Sequence, residues 1–500
     1  MKRYKHTLSI FALSTLMVLG VSCEDILDET PISEVSDGTF WKTNEDADLG
    51  VISIYDALQK TYRTNHFYWG EYRADNYVVS NQPSGQTEDL INNALTPETE
   101  DYLRWNEFYK VIFRANTAID KIPQIPQYDE NLLGEAYACR AYAYFDAYRV
   151  WGGVPLFKDA ALTFSDNSFK EKSTPEEVLA LALSDLEEAS RLIAKPTSPT
   201  RFSVASILAF KAKVYMYLNR YEEANTALNE LIALNQYQLT TDRTSWRNLF
   251  LNDIAFPGEG EEGPELIMSL KYTFAEDGRR ASGIYELFFQ GVPSVWVSPK
   301  VTELWTTRFP TDSTSWADKY PGVPPHVMNV NPASGEEELV YGDYRYYESI
   351  TEVADEQDLR ISKYAKTNYS PAEDDTDIVL FRYADMLLLK AEAENKLGNP
   401  EAALALLDEV RISRGLPKVN SGALPDVNIN NMDALEDFIL DERQLELIAE
   451  GSRWWDLVRT DKAVEVMGPI NGQTKETIIW PIYFRHLVDN PKLTQNEAYR

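Results

Sequence analysis

The sequence predicts a mainly α-helical protein: a tetratricopeptide-like scaffold of about four helix pairs, with one irregular, loop-rich insertion carrying short strands. Three observations predict it. First, "AKVYMYLNRYEEANTALNELI" (212–232) aligns without a gap on "AEAENKLGNPEAALALLDEVR" (391–411). Ala212 matches Ala391, Leu218 matches Leu397, Ala224 matches Ala403 and Leu228 matches Leu407. Each copy reads as a helix, a tight polar turn and a second helix, with small residues where two helices must approach, which is the tetratricopeptide pattern. Second, "RANTAIDKI", "LLGEAYACRAYAYFDAYRVW", "STPEEVLALALSDLEEASRLI" and "DALEDFILDERQLELIAEGSRWWDLVR" carry apolar residues at i, i+3, i+4 spacing. Third, that periodicity fails from about 241 to 375, where ten of the chain's 25 prolines fall.

Taken in order, the chain begins with Lys2, Arg3 and Lys5, followed by the mostly apolar "LSIFALSTLMVLG". That is the layout of a secretory signal peptide over residues 1–22, too short to span a bilayer comfortably. Small residues, Gly20 and Ser22, lead to Cys23, so the site resembles the lipobox of a bacterial lipoprotein. It departs in having Leu19 one place early, with Gly20 at the usual leucine position. Cys23 is the expected lipidation site, and several acyl chains hold a membrane better than one. The acids Glu24, Asp25, Asp28 and Glu29 open an acidic tether over 23–38. Like charges repel and keep such a segment extended, and an acidic stretch there also resembles a surface-export signal.

Helical repeats are expected over 39–240, broken by a polar loop at about 76–101. Thr174-Pro175-Glu176-Glu177 supplies an N-cap and a first-turn proline. The insertion, 241–375, should hold short strands such as "ELIMSLKY". It contains Trp246, Trp296, Trp305 and Trp316, and loops on a rigid scaffold are where ligand contacts concentrate. A last helical repeat and a terminal segment complete 376–500.

Charge excludes some functions. The formal net charge is −31, and loss of Lys2, Arg3 and Lys5 with the signal takes it to −34. Nucleic acid and anionic lipid heads are repelled by such a chain. Of two cysteines one is the expected lipidation site, so no internal disulfide is expected and Cys139 reads as a small buried residue.

Over almost its whole length, from the acidic lipoprotein start through "RANTAIDKIP" near residue 114, the chain resembles the SusD/RagB group of surface lipoproteins. The resemblance rests on "GEAYACRAYAYFDAYRVWGGVPLF", "FRYADMLLLKAEAENKLG", "ALLDEVRISRGL", "DERQLELIAEGSRWWDLVR" and "IIWPIYFRHLVDNPKLTQNEAY", in this order over some 450 residues. The family often has proline at the position of Tyr483, and Pro-Gly at Glu497-Ala498. The resemblance implies a binding protein at the outer membrane that closes a nutrient, most often a glycan, over a TonB-dependent (SusC-like) transporter. Its helical repeats would face the transporter and its irregular block the ligand.

A sugar site needs flat aromatic faces with a few amides or charges around them. Two stretches offer this. "HFYWGEYRADNYVVSNQ" contains Trp69, Tyr72, Arg73, Asn76 and Tyr77, and "SGIYELFFQGVPSVWVSP" contains Tyr285, Phe289 and Trp296. Each aromatic could instead pack on the scaffold, and Trp105, Trp454 and Trp455, inside helical patterns, are assigned to packing. Extended peptides could use the same scaffold through shallow pockets. A helical glycoside hydrolase is the third class, since a carboxylate pair could be imagined. The best-looking cluster, Glu442, Arg443, Glu446, Glu450, Arg453 and Asp456, spaces acids and bases along one helix and reads as an internal ion-pair network. His6, His66, His326 and His486 are scattered, and no H-E-x-x-H, C-x-x-C or Gly-rich phosphate loop occurs. No catalytic residue, metal ligand or cofactor is assigned. "EDDTD" (373–377) could hold calcium but lacks the spacing of a twelve-residue calcium loop, and otherwise reads as a solvated turn.

Overall fold

A computed structural model describes residues 40–83, 85–160, 169–251, 263–330, 335–352, 358–365, 370–371 and 374–500. The signal segment, Cys23 and the acidic tether lie outside the described residues.

The helices pair as consecutive hairpins. Asn44–Gly70 packs on Asn106–Lys121, Glu130–Trp151 on Pro175–Leu192, Val204–Tyr217 on Tyr221–Ala233, and Tyr383–Lys396 on Pro400–Ser413. Local chemistry sets their ends. Thr43 and Asp46 form a capping box, as do Thr174 and Glu177, whose helix also begins on Pro175. The two matched sequence copies fold alike. Ala212, Ala391, Ala224, Ala403, Leu228 and Leu407 are all buried at the helix crossings. Both turns place a residue in the left-handed region, Asn219 (φ 56°) and Gly398 (φ 80°). Both close with the same pair of bonds: Asn219 N–H to Met216 O and Arg220 N–H to Tyr215 O, against Gly398 N–H to Asn395 O and Asn399 N–H to Glu394 O. This is the Schellman ending of a helix.

One predicted helix is in fact two. The run 433–459 breaks into Met432–Glu446 and Arg453–Arg459. Between them Ala449 (φ 62°) and Gly451 (φ 65°) turn the backbone left-handed. The cause is a distant side chain. The buried carboxylate of Glu71 accepts the N–H groups of Ala449 (2.6 Å) and Gly451 (2.7 Å). The approach is so close that a Cβ on Gly70 would lie 1.9 Å from the carbonyl oxygen of Gly451. The "IAEG" periodicity is therefore overruled by a contact from the other end of the chain.

Among the described residues four two-stranded antiparallel ribbons complete the fold: Tyr77–Val79 with Val295–Val297, Leu266–Leu270 with Ile378–Arg382, Val327–Val330 with Glu337–Val340, and Ile350–Glu352 with Leu359–Ile361. The expected "ELIMSLKY" strand is Leu266–Leu270, buried throughout. One continuous apolar core joins the N-terminal helices to the loop-rich block, and a smaller cluster lies under the last repeat. The block's tryptophans belong to its interior. Trp246, Trp296, Trp305 and Trp316 are all buried, which corrects the expectation that they face ligand. Trp305 donates its indole N–H to Asp343 (2.9 Å), and Trp316 donates to Val323 O (2.9 Å).

Charges fix the block to the last helices. Arg345 donates to Glu446 (2.6 Å), Glu442 (2.8 Å) and Asp343 (2.8 Å). Arg382 reaches Glu446 (2.7 Å) and Glu450 (2.7 Å), while Arg414 joins Glu446 (2.8 Å) to Glu265 (2.9 Å). Every one of these side chains is buried. Burial alone would raise the Glu446 carboxyl, but Arg414, Arg382 and Arg345 outweigh it and hold it well below the usual carboxylate range. No helix among the described residues is long and apolar enough to cross a membrane.

Candidate functional site

The two aromatic stretches, more than 200 residues apart in sequence, are strand partners. Tyr77 pairs with Val297, Val78 with Trp296 and Val79 with Val295. Ser80 N–H to Ser294 O (3.0 Å) and Ser298 N–H to Asn76 O (2.8 Å) extend the ladder at both ends. The ribbon seats the short helix Ile284–Phe288 against the first long helix. Phe288 meets Phe67 edge-on at 5.5 Å between ring centroids. Gly283 (φ 73°) allows this approach, because a Cβ there would lie 2.9 Å from the Thr64 methyl group. From the other side Asp374 accepts from the Ser282 hydroxyl (2.6 Å) and the Tyr285 N–H (3.0 Å).

This construction divides the eight candidate residues. Six are interior. Trp69 is 2% exposed and meets Tyr62 and Trp151 edge-on, at 5.7 and 5.5 Å. Tyr72 is wedged between Tyr68 and Tyr77. Arg73 donates to Ile478 O (3.0 Å), Asn93 (2.8 Å) and Gln473 (2.9 Å) and lies over the Trp454 ring at 4.6 Å. Burial pushes its pKa down to about 10. Asn76 donates to Glu71 (2.7 Å) and accepts from Gln444 (2.8 Å). Tyr77 donates to Glu71 (3.1 Å). Trp296 is 4% exposed. Stacking on a sugar requires an open ring face, and these residues present none. They are the clasp that joins Glu71 and the first helix to the C-terminal turn.

Tyr285 and Phe289 are different. Both are half-buried, four residues apart, one in the seated helix and one at its end. Exposed polar residues follow each strand or helix: Asn81 and Gln82 after Tyr77–Val79, and Gln290 after Phe289. Arg63 of the first helix donates to Glu286 (3.1 Å) and to Arg280 O (2.9 Å), bracing the same ledge. Sequence reasoning missed Arg63, Glu286 and Asp374. Gly283, next to "IYELFF", was the available signal for a close approach. The result is a ledge with two half-buried aromatic residues, followed by an exposed amide at Gln290. That mixture can cover the C–H face of a sugar and bond its hydroxyls.

The "EDDTD" loop is not a solvated turn. Asp374 and Asp377 are buried, and Asp377 accepts the Tyr272 N–H (2.9 Å). Glu373 lies outside the described residues. Among the described residues no group of three or more His, Cys, Asp or Glu side chains is arranged to hold a metal ion.

Comparison with known proteins places the chain. It is 64% identical over 505 residues, the whole of both sequences, to SusD-like protein P38 of Formosa agariphila. The chain belongs to the SusD family. A family model described as the SusD family matches residues 305–499, and one described as starch-binding and associating with outer membrane matches residues 25–216. SusD-like protein P2 of the same organism is 25% identical over 99% of each chain. Among solved structures, a SusD superfamily protein from Bacteroides thetaiotaomicron superposes with a TM-score of 0.70 at 21% identity, covering 92% of this chain and 99% of that one. A protein titled a laminarin-binding SusD-like protein gives 0.68 at 23% identity, covering 92% and 100%. Like these SusD structures, the chain is a helical, tetratricopeptide-like scaffold, from a family of carbohydrate-binding proteins associated with the outer membrane.

Proposed function

We propose that this SusD-family protein captures an oligosaccharide or polysaccharide nutrient on the Tyr285/Phe289 ledge and delivers it to a partner TonB-dependent transporter. Cys23 carries the lipid anchor, and the ledge faces the cell exterior. The observation that carries the reading is the ring pair itself. The fold buries six neighbouring candidates yet leaves these two rings half-open on a braced helix. The fold-level likeness to a laminarin-binding SusD-like protein supports a glycan as the ligand class.

The chain acts by binding alone. A glycosidase needs one protonated and one ionised carboxyl flanking the substrate. The richest carboxylate cluster, Glu442, Glu446 and Glu450, is buried and bonded to arginines and Lys363. Burial of Glu442 is outweighed by Arg345 and Arg411, which keep it ionised, so it holds no proton to donate. Binding is expected in the micromolar to millimolar range, about −8 to −4 kcal/mol, so that ligand leaves readily for the transporter.

The test is affinity electrophoresis and calorimetry of residues 24–500 against neutral and acidic polysaccharides and peptide mixtures. Retardation by one glycan, lost in Tyr285→Ala and Phe289→Ala with the circular dichroism spectrum unchanged, is the expected result. Binding to peptides alone, or glycan binding that survives both substitutions, would overturn the reading. Cys23→Ser in the full-length protein should move it from the membrane fraction to the soluble fraction.

A further inference from the structure

Most arginines of this chain are held by carboxylates. Arg345, Arg382 and Arg414 are buried in the network around Glu446. Even the exposed Arg104 and Arg191 each pair with a glutamate. Arg279 and Arg280 differ. Both are exposed, and neither forms an ion pair among the described residues. They stand in the turn that leads into the ledge.

Hydrogen bonds fix that turn beside the two rings. Arg280 has a left-handed backbone (φ 61°), a conformation disfavoured for a residue with a side chain. It is held from both sides: its N–H donates to Pro371 O (2.8 Å), and its carbonyl accepts from Arg63 Nε (2.9 Å). The same Arg63 guanidinium donates to Glu286 (3.1 Å), the neighbour of Tyr285, so Arg280 lies beside the helix Ile284–Phe288. Ser282 N–H to Asp374 O (2.9 Å) and Tyr285 N–H to the Asp374 carboxylate (3.0 Å) tie the turn to that helix. The nearest acids in sequence are engaged or set apart. Glu286 is paired with Arg63, Asp277 accepts the Thr273 N–H (2.9 Å), and Glu276 lies on a separate helical turn that ends at Gly278 (φ 75°).

We infer that the ledge takes an anionic glycan, one carrying carboxylate or sulfate groups, and that Arg279 and Arg280 select for its charge. This assignment rests on the ledge being the glycan site. A guanidinium presents a planar fork of donors that fits two oxygens of a carboxylate or a sulfate. Tyr285 and Phe289 cover the C–H face of a sugar ring, and an acidic group on that ring or the next is met by the arginines. The negative net charge of the chain does not oppose this. At physiological salt the fields of exposed charges are screened beyond about 8 Å, so a bound acidic group feels the arginines it touches more than carboxylates elsewhere. A nucleic acid differs, because one charge per about 1.7 Å of its axis meets a wide acidic surface at once.

The test uses residues 24–500 in affinity electrophoresis and calorimetry. The probes are polygalacturonate and its carboxyl-reduced form, κ-carrageenan and its desulfated form, and the neutral glycan laminarin. One of the two anionic polymers is expected to bind at least tenfold more tightly than its own neutral form, and which one it is assigns the group as carboxylate or sulfate. The Arg279→Gln, Arg280→Gln double variant should remove that advantage, weakening the anionic polymer at least tenfold with an unchanged circular dichroism spectrum. Arg485→Gln, at an exposed arginine outside the ledge, should change nothing, which separates a local site from general charge. Equal binding of charged and neutral forms, binding of laminarin alone, retardation of neither anionic polymer, or a double variant that binds like the parent would overturn the inference. Laminarin binding that is lost in Tyr285→Ala and Phe289→Ala would leave the ledge reading standing while the charge assignment falls. Anionic-glycan binding that survives both ring substitutions would overturn the ledge reading and this assignment with it.

Discussion

In the helical pair Tyr383–Lys396 and Pro400–Ser413, the facing residues are Leu388, Ala391, Ala403 and Leu407, all buried and all apolar. At the edge of the loop-rich block the facing residues are charged: Arg345 binds Glu442 and Glu446, and Arg382, on the strand that follows the block, binds Glu446, Glu450 and the block's own Glu265. Both sets of side chains are buried, yet different interactions hold them in register. A helix satisfies its own backbone and needs only shape and an apolar stripe to pack. An irregular segment has no repeating ladder, so directional, charge-assisted bonds define where each turn sits. The block is thereby made rigid enough to hold a small helix and its two rings at the surface.

The difference can be broken experimentally. Glu446→Ala leaves Arg345, Arg382 and Arg414 buried without their shared partner and should cost about 3–5 kcal/mol. Leu407→Ala in the repeat removes apolar contact and should cost about 2–4 kcal/mol. Urea unfolding of both variants would show the order, and a smaller loss for Glu446→Ala than for Leu407→Ala would contradict the account of the block.

Acid should separate the ion-pair network of the block from the buried histidines elsewhere in the scaffold, because the two titrate in different windows. His66 and His486 are held neutral in the folded protein, their pKa pushed down to about 4 from an ordinary value of 6.5, mainly by burial. His486 stacks on Trp105 at 4.6 Å and accepts the Trp105 N–H through Nε2 (3.3 Å), a bond that protonation destroys. The unfolded chain takes up these protons first, so stability should fall as pH drops from about 6.5 toward 4. Glu442 and Glu446 act lower. Their depressed values mean that stability is present above the ordinary carboxylate pKa near 4.5 and is lost as pH falls further. Melting temperatures from pH 7 to 3 should show both slopes, and His486→Gln should flatten only the upper one.

The smallest effect is expected in the turns. Gly398→Ala forces a Cβ onto a φ of 80° and should cost about 1–2 kcal/mol in urea unfolding, with no change in glycan retardation. Asn219, already a side-chain-bearing residue at the matched turn position, shows that the conformation is tolerable there.

Much of the scaffold is legible along the chain. The i, i+3, i+4 stripes, the N-cap at Thr174 and the matched copies at 212–232 and 391–411 depend on residues within a few turns of one another, and the structure places them as read except that the run 433–459 is broken in two. The candidate site was legible as two stretches but not as residues. Composition marks where aromatics and amides lie, whereas it is the partner across the ribbon that decides which ring is covered. Trp69 and Tyr285 look equally suited to a sugar in the sequence. Trp69 falls on the inner face of a helix against Trp151, and Tyr285 stays half-buried on a helix that Gly283 and Asp374 hold against the scaffold.

By itself, then, the sequence determined the helices, their caps, the repeat, the charge and the family, because these rest on short-range chemistry or on order along the chain. Only the tertiary structure decided that Glu71 holds the turn that ends the helix Met432–Glu446, that four tryptophans of the loop-rich block are core, and that Tyr285 and Phe289 stay half-buried. Those outcomes depend on contacts between residues as far apart as 380 positions, and no local pattern encodes which distant backbone N–H a buried carboxylate will find.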